Sequence, residues 1–111
     1  MLARTPRFRE RVFTEAERAY CDARGGAASA QHYAARFAAK EAAFKALRTG
    51  WRDGLSWHHV EIVSDELGAP LLQLSGHARD LFERMGATHA HLTLSHTGEH
   101  AVAQVLFERR Q

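Results

Sequence analysis

Apolar residues recur every three or four positions up to about residue 50 and largely alternate with polar ones after it. The change of period separates a helical front from a strand-rich back. Thr14 followed three residues later by Glu17 has the spacing of a capping box. It predicts a helix through Ala16, Ala19, Tyr20 and Cys21 that stops at Gly25-Gly26. Ser29 is the predicted cap of a longer helix, a nearly unbroken run of helix formers from Ala30 to Leu47 ended by Thr49-Gly50. Residues 56–63 are rich in aromatic and β-branched types and read as a strand, closed by the turn-forming run from Asp65 to Pro70. Leu71 to Leu74 returns as its hairpin partner. Ala78, Leu81, Phe82 and Met85 then repeat at helical spacing with Gly86 as a stop. His91 to Ser95 alternates, Thr97 to His100 turns, and Ala101 to Phe107 forms the last strand. Strands that arrive in adjacent pairs predict antiparallel hairpins and an α+β fold, with the long helix packed on them.

Size and composition narrow this further. With 111 residues, 45% of them hydrophobic, the sequence suits one domain spanning 1–111. The single cysteine, Cys21, cannot form an internal disulfide, and no stretch reaches the length of a membrane helix. Met1 to Arg7 lacks an apolar signal core. The expectation is a cytoplasmic protein with no membrane partner. Charge is unevenly placed: residues 1–52 carry 11 Lys/Arg and 5 Asp/Glu, whereas residues 53–111 carry 4 and 8. Arg4, Arg7, Arg9 and Arg11 face only Glu10 in the first dozen residues. Such a segment suits an acidic partner as well as it suits a solvated helix face. Nucleic acid is not the expected partner, because the positive charge is local and few aromatics are interleaved with it.

On the long helix Tyr33, Phe37, Phe44 and Leu47 define a predicted buried stripe, and at about 100° per residue Glu41 lies about 40° from Phe37 and about 60° from Phe44. A carboxylate on an apolar face requires compensation. Lys45, one turn on, could supply it as an i,i+4 pair; alternatively Glu41 is a hard oxygen ligand for a divalent metal, with Lys40 and Lys45 beside it for phosphate. A rival zinc site could be drawn from the eight histidines, but they lack metal-binding spacing and read as surface or strand residues. His96 differs in following a strand end, where its side chain can project into a cleft.

The run Arg36-Phe37-Ala38-Ala39-Lys40-Glu41-Ala42-Ala43-Phe44-Lys45-Ala46-Leu47 resembles the R-F-A-x-K-E-A-x-x-K-A signature of the holo-acyl-carrier-protein synthase type of 4′-phosphopantetheinyl transferase. Three further blocks follow that family's order: Arg7-Phe8 with Arg11 to Thr14 and Glu17; Gly68-Ala69-Pro70 with Ser75-Gly76; and Leu94 to Thr97 with Ala101-Val102-Ala103. The resemblance runs from about residue 7 to 108. It implies a 4′-phosphopantetheinyl transferase-like fold and movement of the 4′-phosphopantetheine arm of coenzyme A to a serine of an apo acyl carrier protein in fatty-acid or polyketide synthesis. Adenosine 3′,5′-bisphosphate is the product released. It further implies that Glu41 is a magnesium ligand, that Lys45 contacts the diphosphate and acts with Glu41 in catalysis, that Lys40 supports the phosphates, and that His96 and Thr97 line the coenzyme A pocket. Carrier docking falls to Arg7, Phe8, Arg9 and Arg11, and the assembly is a homotrimer.

Two departures from the family pattern stand out. The family opens with a strand of the form G-x-x-D whose aspartate is a second magnesium ligand, whereas no Asp precedes Asp22 here, so that strand is expected to be missing. Arg48 occupies a position usually held by glycine, where it either adds a phosphate contact or crowds the loop. A carrier-binding module of the same family, with impaired or no catalysis, is the alternative reading.

Overall fold

The computed structural model describes residues 6–48, 55–97 and 100–111, with the backbone alone for Pro6, His96 and Thr97. Arg4, the helix stop at Thr49-Gly50 and the Gly98-Glu99 turn lie outside the described residues. Helix α1 (Pro6–Val12) starts on a proline, which suits a first helical position because its missing N–H has no partner to lose there. Helix α2 (Glu15–Asp22) carries the expected capping box. The Thr14 hydroxyl accepts from the Glu17 amide, and the Glu17 carboxylate accepts from the Thr14 amide. Helix α3 (Gly26–Ala46) begins earlier than the Ser29 cap predicted. Gly25, at φ +68°, turns the chain directly out of α2, and the Ser29 amide already donates to the Gly25 carbonyl at 3.0 Å. Position 29 is therefore inside the helix. After Leu47 at the C-cap, Arg48 is left-handed at φ 59°, a conformation that costs least for glycine.

Only the second half of the predicted strand at 56–63 is a strand; its first half is a single 3-10 turn, Trp57–His59, set by the Ser56 hydroxyl accepting from the His58 amide. Strand β1 (Val60–Ser64) pairs antiparallel with β2 (Pro70–Leu74), in register from Val60 opposite Leu74 to Ser64 opposite Pro70. The Asp65 carboxylate closes the turn by accepting from the Leu67 and Ala69 amides. Helix α4 (Gly76–Arg84) leads to a second antiparallel hairpin, β3 (His89–Thr97) and β4 (His100–Glu108). The fold is thus α+β with paired antiparallel strands, as the order of periodicities predicted.

Two apolar clusters meet along α3. Ala39, Ala43, Phe44 and Leu47 pack with Val60, Ile62, Ala78 and Phe82, backed by half-buried residues of β3 and β4. Nearer its N-terminus, on the same buried face, Tyr33 packs with Val12, Phe13 and Cys21 beneath Phe8, Tyr20 and Phe37. Trp57 joins the clusters, its ring 5.4 Å from both Phe37 and Phe44. Each large side chain removed from water contributes about 1.5–3 kcal/mol, so the two clusters hold α3 along the length of its buried face.

Candidate active site on the long helix

The buried arc of α3 comprises Tyr33, Ala35, Arg36, Ala39, Lys40, Ala43 and Phe44. At about 100° per residue this arc reaches to within about 40° of Lys40 on the Phe44 side, and Glu41, about 100° on, lies beyond it. The expectation that Glu41 occupies the apolar face is therefore corrected: Glu41 is exposed, and the charged residue inside is Lys40. The alanines account for the shift. Ala35, Ala39 and Ala43 are all buried and rotate the centre of the arc away from Glu41.

Lys40 has no exposed surface. Its ammonium sits 2.8 Å from the Glu17 carboxylate, donates to the Trp57 carbonyl at 3.1 Å and donates to the Val60 carbonyl. All three donors of the ammonium are thereby engaged. Burial pushes the Lys40 pKa below its ordinary value, while Glu17 opposes that shift. Glu17, 1% exposed, also accepts from the Thr14 amide at 2.9 Å and the Ile62 amide at 2.8 Å. The expected phosphate contact of Lys40 does not fit a side chain enclosed in this way. Its role in this structure is to tie α3 to α2 and to the start of β1.

Glu41 and Lys45 point outward, and neither has a hydrogen bond or ion pair among the described residues. The i,i+4 pair that would have explained Glu41 is not formed. An exposed carboxylate and an exposed ammonium remain on one side of the helix, about one turn apart. Among the described residues no three His, Cys, Asp or Glu side chains converge on a metal position. Glu41 therefore fits a cation that draws its other ligands from substrate oxygens and water, the manner typical of magnesium on phosphates. The described histidines are dispersed: His58 meets the Glu10 carbonyl, His59 the Ser56 amide, His89 the Thr88 hydroxyl and His91 the Glu108 carboxylate. Glu108 also accepts from Arg110, and these contacts hold its carboxyl below the usual range. His96 and Thr97 end β3 by their backbone, and their expected pocket role lies outside the described side chains.

The four residues expected to dock a carrier divide into two pairs. Arg7 and Arg11, one turn apart on α1, are exposed. Phe8 is half-buried with its ring 6.1 Å from Phe37, and Arg9 lies over the Tyr33 ring at 5.0 Å with Asp22 at 3.8 Å. Tyr33 donates to Asp22 at 2.7 Å, and burial together with this bond raises its pKa well above the ordinary phenol value. Sequence reasoning gave no role to Arg36, which is 4% exposed, stacks on Tyr20 at 4.1 Å and buries an Nε with no acceptor among the described residues. It also took Glu17 only as a cap. The signal that could have revealed Glu17 is its position in the family block beside a lysine-bearing signature.

The helix that bears the signature is thus anchored inward by Lys40, offers Glu41 and Lys45 outward, and packs on two antiparallel hairpins. The family model described as the 4′-phosphopantetheinyl transferase superfamily matches residues 1–105, and the chain belongs to that superfamily. Within it, the chain is 56% identical over 98 residues to a holo-(acyl-carrier-protein) synthase of Trichlorobacter lovleyi, covering 88% of this chain and 76% of that protein. The structure resembles an ACPS–CoA complex from Chronobacterium ammoniagenes with a TM-score of 0.79 at 33% identity, over 99% of this chain and 87% of that one. It also resembles a Bacillus anthracis holo-(acyl-carrier-protein) synthase in complex with CoA (3′,5′-ADP), with a TM-score of 0.76 at 36% identity, over 94% and 82% of the two chains.

Proposed function

We propose that this chain is one transferase domain over residues 1–111 that moves the 4′-phosphopantetheine arm of coenzyme A to a serine hydroxyl of an apo acyl carrier protein. The serine oxygen forms a new bond to the phosphorus of the arm, the diphosphate bridge breaks, adenosine 3′,5′-bisphosphate leaves, and the hydroxyl proton is released. The observation that carries this reading is the outward pair Glu41 and Lys45, without a partner among the described residues, on the helix that bears the family signature. Carrier binding alone would require neither, which favours the transferase over a binding-only module.

Phosphoryl transfer depends mainly on positioning the reactants and neutralising their charge. Lys45 supplies a cation to the diphosphate, and among the described residues it has no partner to leave. Glu41 would hold magnesium by a carboxylate oxygen; when bound, that ion would neutralise charge on the diphosphate and orient it. Arg7 and Arg11 offer a positive face to the acidic carrier, while Phe8 and Arg9 shape its edge from partly packed positions. His96 and Thr97, at the end of β3, are proposed for the coenzyme A pocket.

A homotrimer is part of the proposal. The outer face of the β3–β4 hairpin leaves Val102 56% and Leu106 64% exposed, beside a hollow of about 520 Å³ lined by His91, Thr93, Gln104, Val105 and Leu106. Burying such side chains would add stability to a chain of this length. A cytoplasmic setting in fatty-acid or polyketide synthesis completes the proposal; among the described residues no helix is long and apolar enough to cross a membrane.

The test is transfer from coenzyme A into apo carrier protein, read by mass, with Glu41→Ala compared at matched magnesium. Turnover is expected to fall about 10²–10³-fold, the scale of losing one charge-stabilising group, with thermal stability unchanged. Wild-type turnover in that variant would overturn the metal role.

A further inference from the structure

The interior of the α2–α3–β1 junction, where apolar packing already brings the three elements together, also contains a buried polar network. Lys40 donates to Glu17 on α2, to the carbonyl of Trp57 in the turn before β1, and to that of Val60 on β1 itself. Glu17 accepts in turn from Thr14 at the start of α2 and from Ile62 on β1. Each charge faces peptide groups of matching polarity: carbonyls surround the ammonium and N–H groups surround the carboxylate. The polarity of the pair is therefore built in, and the next residue along α3 is Glu41.

We propose that the Glu17–Lys40 pair is a positioning element of the transfer site. By joining one point of α3 to α2 and β1, it sets the rotation and axial register of the helix at the residue that presents the carboxylate. This rests on the reading of Glu41 as the metal ligand and adds the residues that aim it. A helix held only by alanines and aromatic rings can slide or rotate by a fraction of a turn at little cost. A lysine bonded to three acceptors in separate segments cannot. Displacement of a ligand by about 1 Å costs about 10²-fold in rate, and loss of the partners that orient a metal ligand costs about 10–100-fold in metal affinity or activity.

The test compares wild type, the neutral double variant Glu17→Gln/Lys40→Met, and Glu41→Ala. The readouts are Mn2+ affinity in the coenzyme A complex by electron paramagnetic resonance, kcat and KM for the carrier, and circular dichroism for folding. For the folded double variant, Mn2+ binding and kcat are expected to fall about 10–100-fold, while KM for the carrier stays within about twofold because α1 is untouched. The charge-swapped Glu17→Lys/Lys40→Glu variant is expected not to restore either quantity, since the peptide groups would then face the wrong sign. A folded double variant with wild-type Mn2+ affinity and kcat overturns the proposal and reduces the pair to a source of stability. If the double variant does not fold, Glu17→Gln, which keeps the shape and one acceptor, is measured in the cold in stabilising osmolyte and must show the same weakening. Mn2+ binding that survives Glu41→Ala overturns the ligand reading and the proposal together. Loss in Glu41→Ala with retention in the Glu17 and Lys40 variants overturns the proposal alone.

Discussion

Removing one member of the Glu17–Lys40 pair isolates a charge in a place water does not reach, and the size of the effect can be worked out. At 2.8 Å and an effective dielectric of about 20, the attraction is about 6 kcal/mol, set against a desolvation cost of several kcal/mol per ion. The intact pair is therefore worth little net, whereas a broken one is expensive. Glu17→Gln removes the negative charge beside the ammonium and leaves it neutral acceptors alone, the Trp57 and Val60 carbonyls and at most the amide oxygen of the new side chain. Its cost has a ceiling, because Lys40 can shed its proton. From an ordinary value of 10.5, neutralisation at pH 7 costs about 5 kcal/mol. Lys40→Met leaves the carboxylate with two amide donors at the start of α2, where the helix dipole also favours it, and is expected to cost less. Urea denaturation followed by circular dichroism is expected to show losses of about 3–5 kcal/mol for Glu17→Gln and about 2–4 kcal/mol for Lys40→Met. The double variant is expected to lose about 1–2 kcal/mol for the carbonyls left without a donor. The resulting coupling of several kcal/mol is the signature of the pair. Single losses below about 1 kcal/mol, or a double variant equal to the sum of the singles, would refute the reasoning.

Charge reversal of the exposed arginines, Arg7→Glu with Arg11→Glu, is expected to raise KM for the carrier about tenfold or more and to leave coenzyme A affinity, measured by calorimetry, unchanged; a large loss of both would displace the docking face from α1. The Cys21 thiol, pushed up to about 11 by burial, is expected to react with iodoacetamide at pH 8 far more slowly in the native protein than in urea, and equal rates would contradict its burial. Its raised pKa means that the folded form keeps the proton the unfolded form has lost. The Cys21 contribution is therefore present in full below about pH 9 and declines by about 1.4 kcal/mol per pH unit towards pH 11; Tyr33 acts in the same direction and Lys40, whose pKa burial lowers, in the opposite one, so the difference in urea stability between wild type and Cys21→Ala across that range should record the Cys21 decline. Arg48→Gly relieves a left-handed arginine and is expected to stabilise the chain by about 0.5–1 kcal/mol, and a loss of stability would show that the Arg48 side chain makes a contact worth more than the strain.

Much of the fold was legible because its signals are local. The capping box at Thr14 and Glu17, the Asp65 turn and the Gly86 stop each act over a few residues, and each stands where the residue types placed it. The strands were read short at β3 and β4, because ladder pairing continues through polar residues such as His89, Thr97 and His100 that carry no apolar signal of their own. The start of α3 was missed for a similar reason. Ser29 is a good cap by type, but the direction of the chain out of α2 is set by backbone freedom at Gly25, which a propensity argument does not weigh.

The site shows where local reasoning stops. Ranking the faces of α3 by its large apolar residues placed Glu41 inside, since Phe37 and Phe44 flank it. Burial, however, follows what is packed against a helix. Where neighbouring elements approach closely a helix hides its small residues, so Ala35, Ala39 and Ala43 define the interior face as much as the rings do. Once the arc is drawn through the alanines, Lys40 falls in it, and an amine so placed demands an anion from elsewhere in the chain. That anion is Glu17, 23 positions away and already recognisable as a cap. The same carboxylate thus starts one helix and neutralises another. A replacement at position 17 chosen only to keep the cap would remove the anion of Lys40, and a replacement at position 40 chosen only to suit phosphate would unpair Glu17. The adjacent Lys40 and Glu41 therefore answer to opposite sides of the helix, the first to the interior and the second to solvent, and the signature that joins them combines an anchor with a ligand.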